Sequence, residues 1–166
     1  MTIDDVIRGR RTLKGFRPEP IADGVIDELL DLAVYAPNHH TTEPWRFIVI
    51  GPETIVRLVA ATDDGKLTRS PTAIVVAQAV DPDAGTAHED YAACACAIQT
   101  LMLAARARDI ASYWRTPKSI LKPVAGRILG LGKREVPVGI VHIGWPSDGF
   151  PAAPHRTAGT RTRRLA

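Results

Sequence analysis

Apolar residues recur along this chain with two different periods, and the places where the period changes mark its elements. Thr2 has the character of a helix N-cap, with Asp4 and Asp5 following in a first turn whose positive end favours carboxylates. That arrangement predicts a short helix running to about Arg10. A second helix is expected from Asp23, taken as its cap, through Ile26, Leu29, Leu30 and Ala33, which follow the i, i+3, i+4, i+7 rule. It should stop before Pro37, because a proline pushes the residue ahead of it out of the helical region. Trp45 to Ile50 (WRFIVI) reads as a strand ended by Gly51-Pro52. From Pro52 to about Ala61 the pattern is an amphipathic helix, with proline in the first turn where its missing N–H costs nothing. Ala73 to Ala79 (AIVVAQA) is apolar enough for a strand covered on both faces.

His88 to Arg108 is the longest helical candidate. Between Tyr91 and Ala105 it is apolar on nearly every side, with Gln99 the main exception. A helix apolar all round must be covered all round. One small chain can hardly arrange that, which points to a partner subunit. A short strand from Ile110 to Trp114 should follow, then a helix interrupted near Pro123, a loop at Gly130 to Gly132, and a last strand from Pro137 to Ile143. Strands and helices interleave, so the expected class is α+β or α/β, a sheet covered by helices. No internal repeat or domain boundary is visible. The chain therefore reads as one domain over residues 1–150 with a basic tail over residues 151–166.

Composition adjusts this picture in three ways. At 166 residues and 45% hydrophobic, the chain is the right size for a single packed core. No run of about 18 apolar residues could span a membrane, and the N-terminus lacks the apolar stretch of a secretory signal. Cys94 and Cys96 stand two apart on a helix, about 200° around the axis, so they cannot bridge each other. They read as free thiols in a reducing compartment, which places the protein in the cytoplasm. The net charge of +3 belongs to the tail. Arg156, Arg161, Arg163 and Arg164 occur with no acidic residue after His155, and setting those four aside leaves 17 basic against 18 acidic residues. Such a tail can be a solvated terminus, can turn back onto an anionic group within the protein, or can touch nucleic acid. With no aromatic or Gly-rich pattern beside it, nucleic acid is the weakest of the three.

Phosphate-loop, dinucleotide, serine-hydrolase and zinc-protease motifs are all absent. Three short segments at the ends of elements remain. In Arg10-Arg11-Thr12-Leu13-Lys14, three cations and a hydroxyl leave a helix and turn at Gly15, a set suited to holding a phosphate. The same cations would also be favourable at any helix C-terminus. Pro37-Asn38-His39-His40-Thr41-Thr42-Glu43-Pro44 is a polar loop bracketed by prolines, suited to the edge of a heterocycle or to nothing more than a connection. Trp114-Arg115-Thr116 sets an aromatic and a guanidinium at the end of a strand.

Together, and in this order, the segments carry a resemblance. RRTLKGFRPEPI, a helix, and then APNHHTTEPWRF resemble the opening of the FMN-dependent nitroreductases. EDYAACACAIQTLMLAARARDIASYWRTP resembles that family's long central helix and the segment after it, and PVGIVHIGWP its last core strand. The likeness is to the smaller, single-domain members. It implies an α+β, nitroreductase-like fold with a central, mostly antiparallel β-sheet flanked by helices, in an intertwined homodimer. It also implies bound FMN, with NAD(P)H as the electron donor. Hydride would pass through flavin N5 to nitro compounds, quinones or similar electrophiles, and no side chain would act as general acid. Arg10 and Thr12 would hold the ribityl phosphate, while Arg11 or Lys14 reaches the phosphate or the N1/O2 side of the ring. Asn38, His39 and Glu43 would approach from the partner subunit, and Trp114, Arg115 and Thr116 would border the ring. One departure bears on the chemistry. Pro117 stands where the family has a glycine, and it has no N–H to offer the flavin. A flavin-binding protein without competent reductase activity is the alternative this raises. An interaction protein using its tail on nucleic acid is the second.

Overall fold

The computed structural model describes residues 1–165; Ala166, the last residue of the expected tail, lies outside the described residues. Nine regular elements follow one another, as α1 (Ile3–Gly9), α2 (Asp23–Ala33), β1 (Trp45–Ile50), α3 (Pro52–Thr62), β2 (Thr72–Ala79), α4 (Ala84–Ala107), β3 (Ala111–Arg115), α5 (Pro123–Leu129) and β4 (Glu135–Gly144). Short 3-10 turns punctuate them. The strands form one sheet in the order β1-β2-β4-β3, and every pairing is antiparallel.

Local chemistry accounts for the boundaries. Thr2 caps α1 in a reciprocal capping box with Asp5. The expected role of Asp23 needs correcting. The N-cap of α2 is Ala22, which makes no side-chain cap hydrogen bond, and Asp23 is the first helical residue. There its charge still faces the positive end of the helix. Helix α4 begins four residues earlier than the expected start at His88, because the Asp83 carboxylate accepts from the Thr86 amide at 2.8 Å and starts the helix within polar sequence. Strand β3 lies one residue later than expected, and β4 extends the expected PVGIVHI at both ends.

Two apolar layers sandwich the sheet. On one face α2 and α4 bury Leu29, Ala33, Ala97, Ile98, Leu101 and Ala105 against Ile74, Val76, Val141 and Ile143. On the other, α3 and α5 bury Ile55, Leu58, Ala125 and Leu129 against Ile50, Ala73, Val75 and Ile140. Strand β2 is therefore buried on both faces, as its unbroken apolar run demands. A register shift between Val76 and Ala77 leaves Val138 as an extra residue in β4, which lets Val138 and Val141 point into the same layer. Pro137 sits beside this bulge, where the lost ladder hydrogen bond does least harm. Helix α4 is buried along Ala93, Ala97, Leu101 and Ala105, while Tyr91, Ala92 and Gln99 on its far side are exposed. Cys94 lies wholly inside and Cys96 partly so, both as free thiols.

Residues 12–17 run along the sheet edge, first beside β3 and then beside the residues that follow β4. Thr12 bridges Ser112 in parallel, the Leu13 amide donates to the Ser112 carbonyl at 3.4 Å, and the Arg17 amide donates to the Trp145 carbonyl at 2.8 Å. The first polar segment is thereby set against the start of β3, whose far end carries the third.

Gly139 makes room for one residue of that third segment. A Cβ placed on it would lie 2.1 Å from the Trp114 indole nitrogen and 2.8 Å from the Arg115 carbonyl oxygen. Gly139→Ala should therefore displace the indole and cost about 1–3 kcal/mol, as overpacking does. Chemical denaturation should show that loss, together with a shift in tryptophan fluorescence.

Candidate functional site

Helix α1 ends at Arg10, which adopts an extended backbone and turns the chain toward β3. Arg10 and Arg11 then line a cavity of about 610 Å³ whose opposite wall is Pro154, His155 and Arg156 from the C-terminal segment. The segment reaches this place because Phe150 is held under the Arg106 guanidinium, 4.0 Å from ring centroid to charge centre, at the end of α4 where Gly9 also packs. Burial, and then the charges of Arg11 and Arg156, push the Arg10 guanidinium below its ordinary pKa. Among the described residues no carboxylate lies within ion-pair distance of Arg10, Arg11 or Arg156, and the buried Arg11 Nε has no hydrogen-bond partner. Arg8 also lines this cavity but is paired with Asp4 at 3.2 Å; the other three like charges repel one another unless an anion joins them.

Thr12 and Lys14 continue from that cavity into a smaller one of about 270 Å³, shared with Gly15 and Ser147. The Lys14 ammonium stands 5.6 Å from the centroid of the Tyr113 ring on β3. The Trp114 side chain packs into the α2–α4 layer. Arg115, next along the strand, points to the opposite face and pairs with Asp64 at 3.2 Å, both side chains being largely buried. Ser119 also donates to Asp64, at 2.7 Å, and the exposed Thr116 donates to the Val138 carbonyl at 3.3 Å. The side chains of the third segment thus brace the strand end. Pro117 follows in an extended conformation, and its carbonyl accepts from the Ile120 amide at 3.3 Å.

The second segment lies elsewhere. Asn38 folds its own loop, accepting from the Glu43 amide at 3.0 Å and donating to Thr42 Oγ1 at 2.9 Å. Thr42 donates to the buried Asp90 at 2.5 Å, and His39 Nδ1 pairs with Glu89. His40, Thr41 and Glu43 all hold φ near +50°, which is strained for residues with a Cβ and persists because α4 pins both ends of the loop. Pro37, Asn38 and His39 form one side of an open cavity of about 460 Å³ whose other side is Glu89, Ala92 and Cys96 of α4. This cavity sits at the N-terminal half of α4, whereas Arg10 and Arg11 sit beyond its C-terminal end. At roughly 1.5 Å per residue, Glu89 and Arg106 are about 26 Å apart. Within one chain the first segment meets β3 at Ser112 and Tyr113, just ahead of the third, and the second segment lies apart.

Sequence reasoning did not find the partners Glu89, Asp90 and Asp64, because nothing local marks a residue that acts across the fold. It also missed His142. This side chain is fully buried in β4, stacked on Tyr113 and bonded through Nδ1 to Ser70 at 3.0 Å. Ser70 Oγ donates to the Thr72 carbonyl at 2.6 Å, so it accepts from His142 Nδ1–H and leaves Nε2 unprotonated and without a partner. Burial, reinforced by Arg115 and Arg69 and partly opposed by Asp64, pushes His142 down to about 4.

The consequence for stability has a definite sign. Above the ordinary histidine value of 6.5, neither folded nor unfolded chains carry this proton. As the pH falls from there to about 4, only the unfolded chain takes it up, so folding stability declines by roughly 3 kcal/mol and then levels off. Denaturation curves between pH 7 and 4 should show this slope. His142→Asn, which keeps a donor toward Ser70, should flatten it.

The profile of the Nitroreductase family matches residues 7–64 and 59–145. A Bacillus subtilis (strain 168) protein provisionally named NAD(P)H nitroreductase YfhC is 32% identical over 172 aligned positions, covering 92% of this chain and 88% of that protein. Among solved structures, a nitroreductase-like family protein from Bacillus cereus superposes with a TM-score of 0.88 at 26% identity, covering 99% of this chain and 96% of the other. A nitroreductase with bound FMN from Bacteroides fragilis NCTC 9343 shares the fold, with a TM-score of 0.80 at 22% identity over 99% of this chain and 100% of that one. The α+β architecture and the antiparallel sheet have their counterpart in these folds, and the family profile and the Bacillus subtilis relative cover most of the sequence: this chain belongs to the nitroreductase family.

Proposed function

We propose that this protein is an FMN-dependent NAD(P)H oxidoreductase that reduces nitro compounds, quinones or similar electrophiles. The observation that carries the reading is the cavity in which Arg10, Arg11 and Arg156 converge without a counter-charge. A phosphate dianion supplies what those guanidiniums lack, and the fork of arginine fits its oxygens in pairs. Family membership supports the same cofactor, as does a like-folded nitroreductase with FMN bound.

FMN, when bound, supplies a two-electron carrier between the nicotinamide donor and the acceptor. The chain's own residues do the binding and orienting. Arg10, Arg11 and Arg156 hold the phosphate, and Thr12 borders the ribityl chain. Lys14, steadied over Tyr113, places a cation on the N1/O2 side of the ring, where negative charge gathers on reduction. Trp114, Arg115 and Thr116 present the ring with a strand end made rigid by the Asp64 pair. Residues 1–150 act as the unit that carries this site, and the basic tail closes its phosphate end.

Asn38, His39 and Glu43 belong to a second copy. They lie about 26 Å along α4 from the phosphate cavity, too far to share one flavin within a single chain. In a two-fold dimer with paired α4 helices, the N-terminal half of one helix faces the C-terminal half of the other. That pairing brings the partner's loop to the ring and covers the exposed side of α4.

The test is spectroscopic. Purified protein supplied with FMN should be yellow, should retain one flavin per chain, and should bleach with NADH or NADPH in the absence of oxygen. Arg10→Ala should weaken FMN binding at least tenfold, about 1.4 kcal/mol, with much less effect on the denaturation midpoint. Failure to take up FMN would sink the proposal. Uptake without bleaching by either nucleotide would favour a flavin carrier without reductase activity, with Pro117 as the first suspect.

A further inference from the structure

The tail holds more positive charge than one phosphate calls for. Beyond the cavity at Arg10 lies a second cavity of about 600 Å³, lined by His155, Arg156, Thr157 and Arg161 and by no residue of α1. The two cavities share only His155 and Arg156. A turn of the backbone builds the second. Gly159 takes φ +44°, a left-handed conformation that suits glycine. The Arg161 amide donates to the Ala158 carbonyl at 2.9 Å and the Thr162 amide to the Gly159 carbonyl at 3.1 Å. The chain reverses there and Arg161 returns beside Arg156. Among the described residues no carboxylate pairs with either arginine. Arg163 and Arg164 follow, both exposed, and add to the field over this surface.

We infer that His155, Arg156, Thr157 and Arg161 form a second phosphate subsite, which takes the 2′-phosphate of NADPH and makes the protein prefer NADPH to NADH. This rests on the flavin reading above, because a nicotinamide donor is called for only where a flavin is bound. The chemistry then separates the two donors. NADH and NADPH differ only by a monoester phosphate on the adenosine ribose. Such a dianion rewards two guanidinium forks, an imidazole and a hydroxyl gathered on one cavity. Arg156 stands between the two phosphates, while Arg161 belongs to the second alone, so Arg161 is the residue that isolates it. As an exposed tail residue, it can be replaced without disturbing the core.

The measurement is calorimetric titration of the FMN-loaded protein with 2′,5′-ADP and with 5′-AMP, which differ only in the 2′-phosphate. The 2′,5′-ADP should bind at least about tenfold more tightly, and Arg161→Ala should bring the two to within about twofold. Steady-state rates give an independent readout. The ratio of kcat/KM for NADPH over NADH should fall about tenfold in Arg161→Ala, through KM rather than kcat, and Arg161→Lys should restore part of it. Equal affinity for the two nucleotides in the unaltered protein would overturn the proposal. So would a preference that survives Arg161→Ala, or a single-stranded oligonucleotide that binds this surface more tightly than 2′,5′-ADP. Repeating the titration without flavin separates the two readings. Selective 2′,5′-ADP binding in protein that cannot take up FMN would support the subsite and sink the flavin assignment alone.

Discussion

Helix α4 is long, apolar on nearly every side, and packed on a sheet that can cover only one of those sides; the placement of everything else follows from this. Ala93, Ala97, Leu101 and Ala105 keep it close against the strands, with small side chains allowing the approach and Leu101 supplying buried area. Its N-terminal half anchors the Asn38–Glu43 loop through Glu89 and Asp90. Its C-terminal end receives α1 at Gly9 and the tail at Phe150, both against Arg106. One rigid rod thus sets the spacing between two polar clusters. It also leaves uncovered the stripe that a second copy would need.

The sheet contributes a different constraint. Neighbouring residues of β3 point to opposite faces, so Trp114 and Arg115 cannot both turn toward one ligand. Trp114 joins the α2–α4 layer, and Arg115 enters the other layer, where its Nη2 pairs with Asp64, itself held by Ser119, while its buried Nη1 has no partner among the described residues. A buried pair of this kind contributes little net stability, yet losing one partner is costly. The pair keeps the strand end, and Tyr113 beside it, in one place. His142 lies behind Tyr113, held neutral by burial and by two nearby guanidiniums. A second cation could not be accommodated there without loosening the wall behind Lys14.

Charge is distributed in the opposite way around the cavity at Arg10. The guanidiniums of Arg10, Arg11 and Arg156 stand together with nothing acidic among them, although the body of the protein is almost neutral. Like charges cost the folded chain free energy when they gather. Fold stability does not explain their convergence, whereas an anionic ligand does. The tail extends the same pattern outward to Arg161.

Much of this was legible in the residues alone. The WRFIVI run and the capping signature at Thr2 define β1 and α1 because both depend on neighbours in sequence. The apolar character of the long helix marked it as a core element because burial demand is written in composition, and Ala93, Ala97, Leu101 and Ala105 are buried as that demands. Its true start at Ala84 was hidden, since an aspartate cap can carry a helix into polar sequence. The candidate segments could be listed in order but not assembled. Whether Lys14 meets Tyr113, whether Arg115 is free or paired, and whether Arg156 reaches back to α1 depend on contacts between residues 50 to 150 positions apart. No local period encodes such distances. Only the folded sheet and the length of α4 decide them: they bring the first segment against Tyr113 and the tail, and hold the second about 26 Å away along α4.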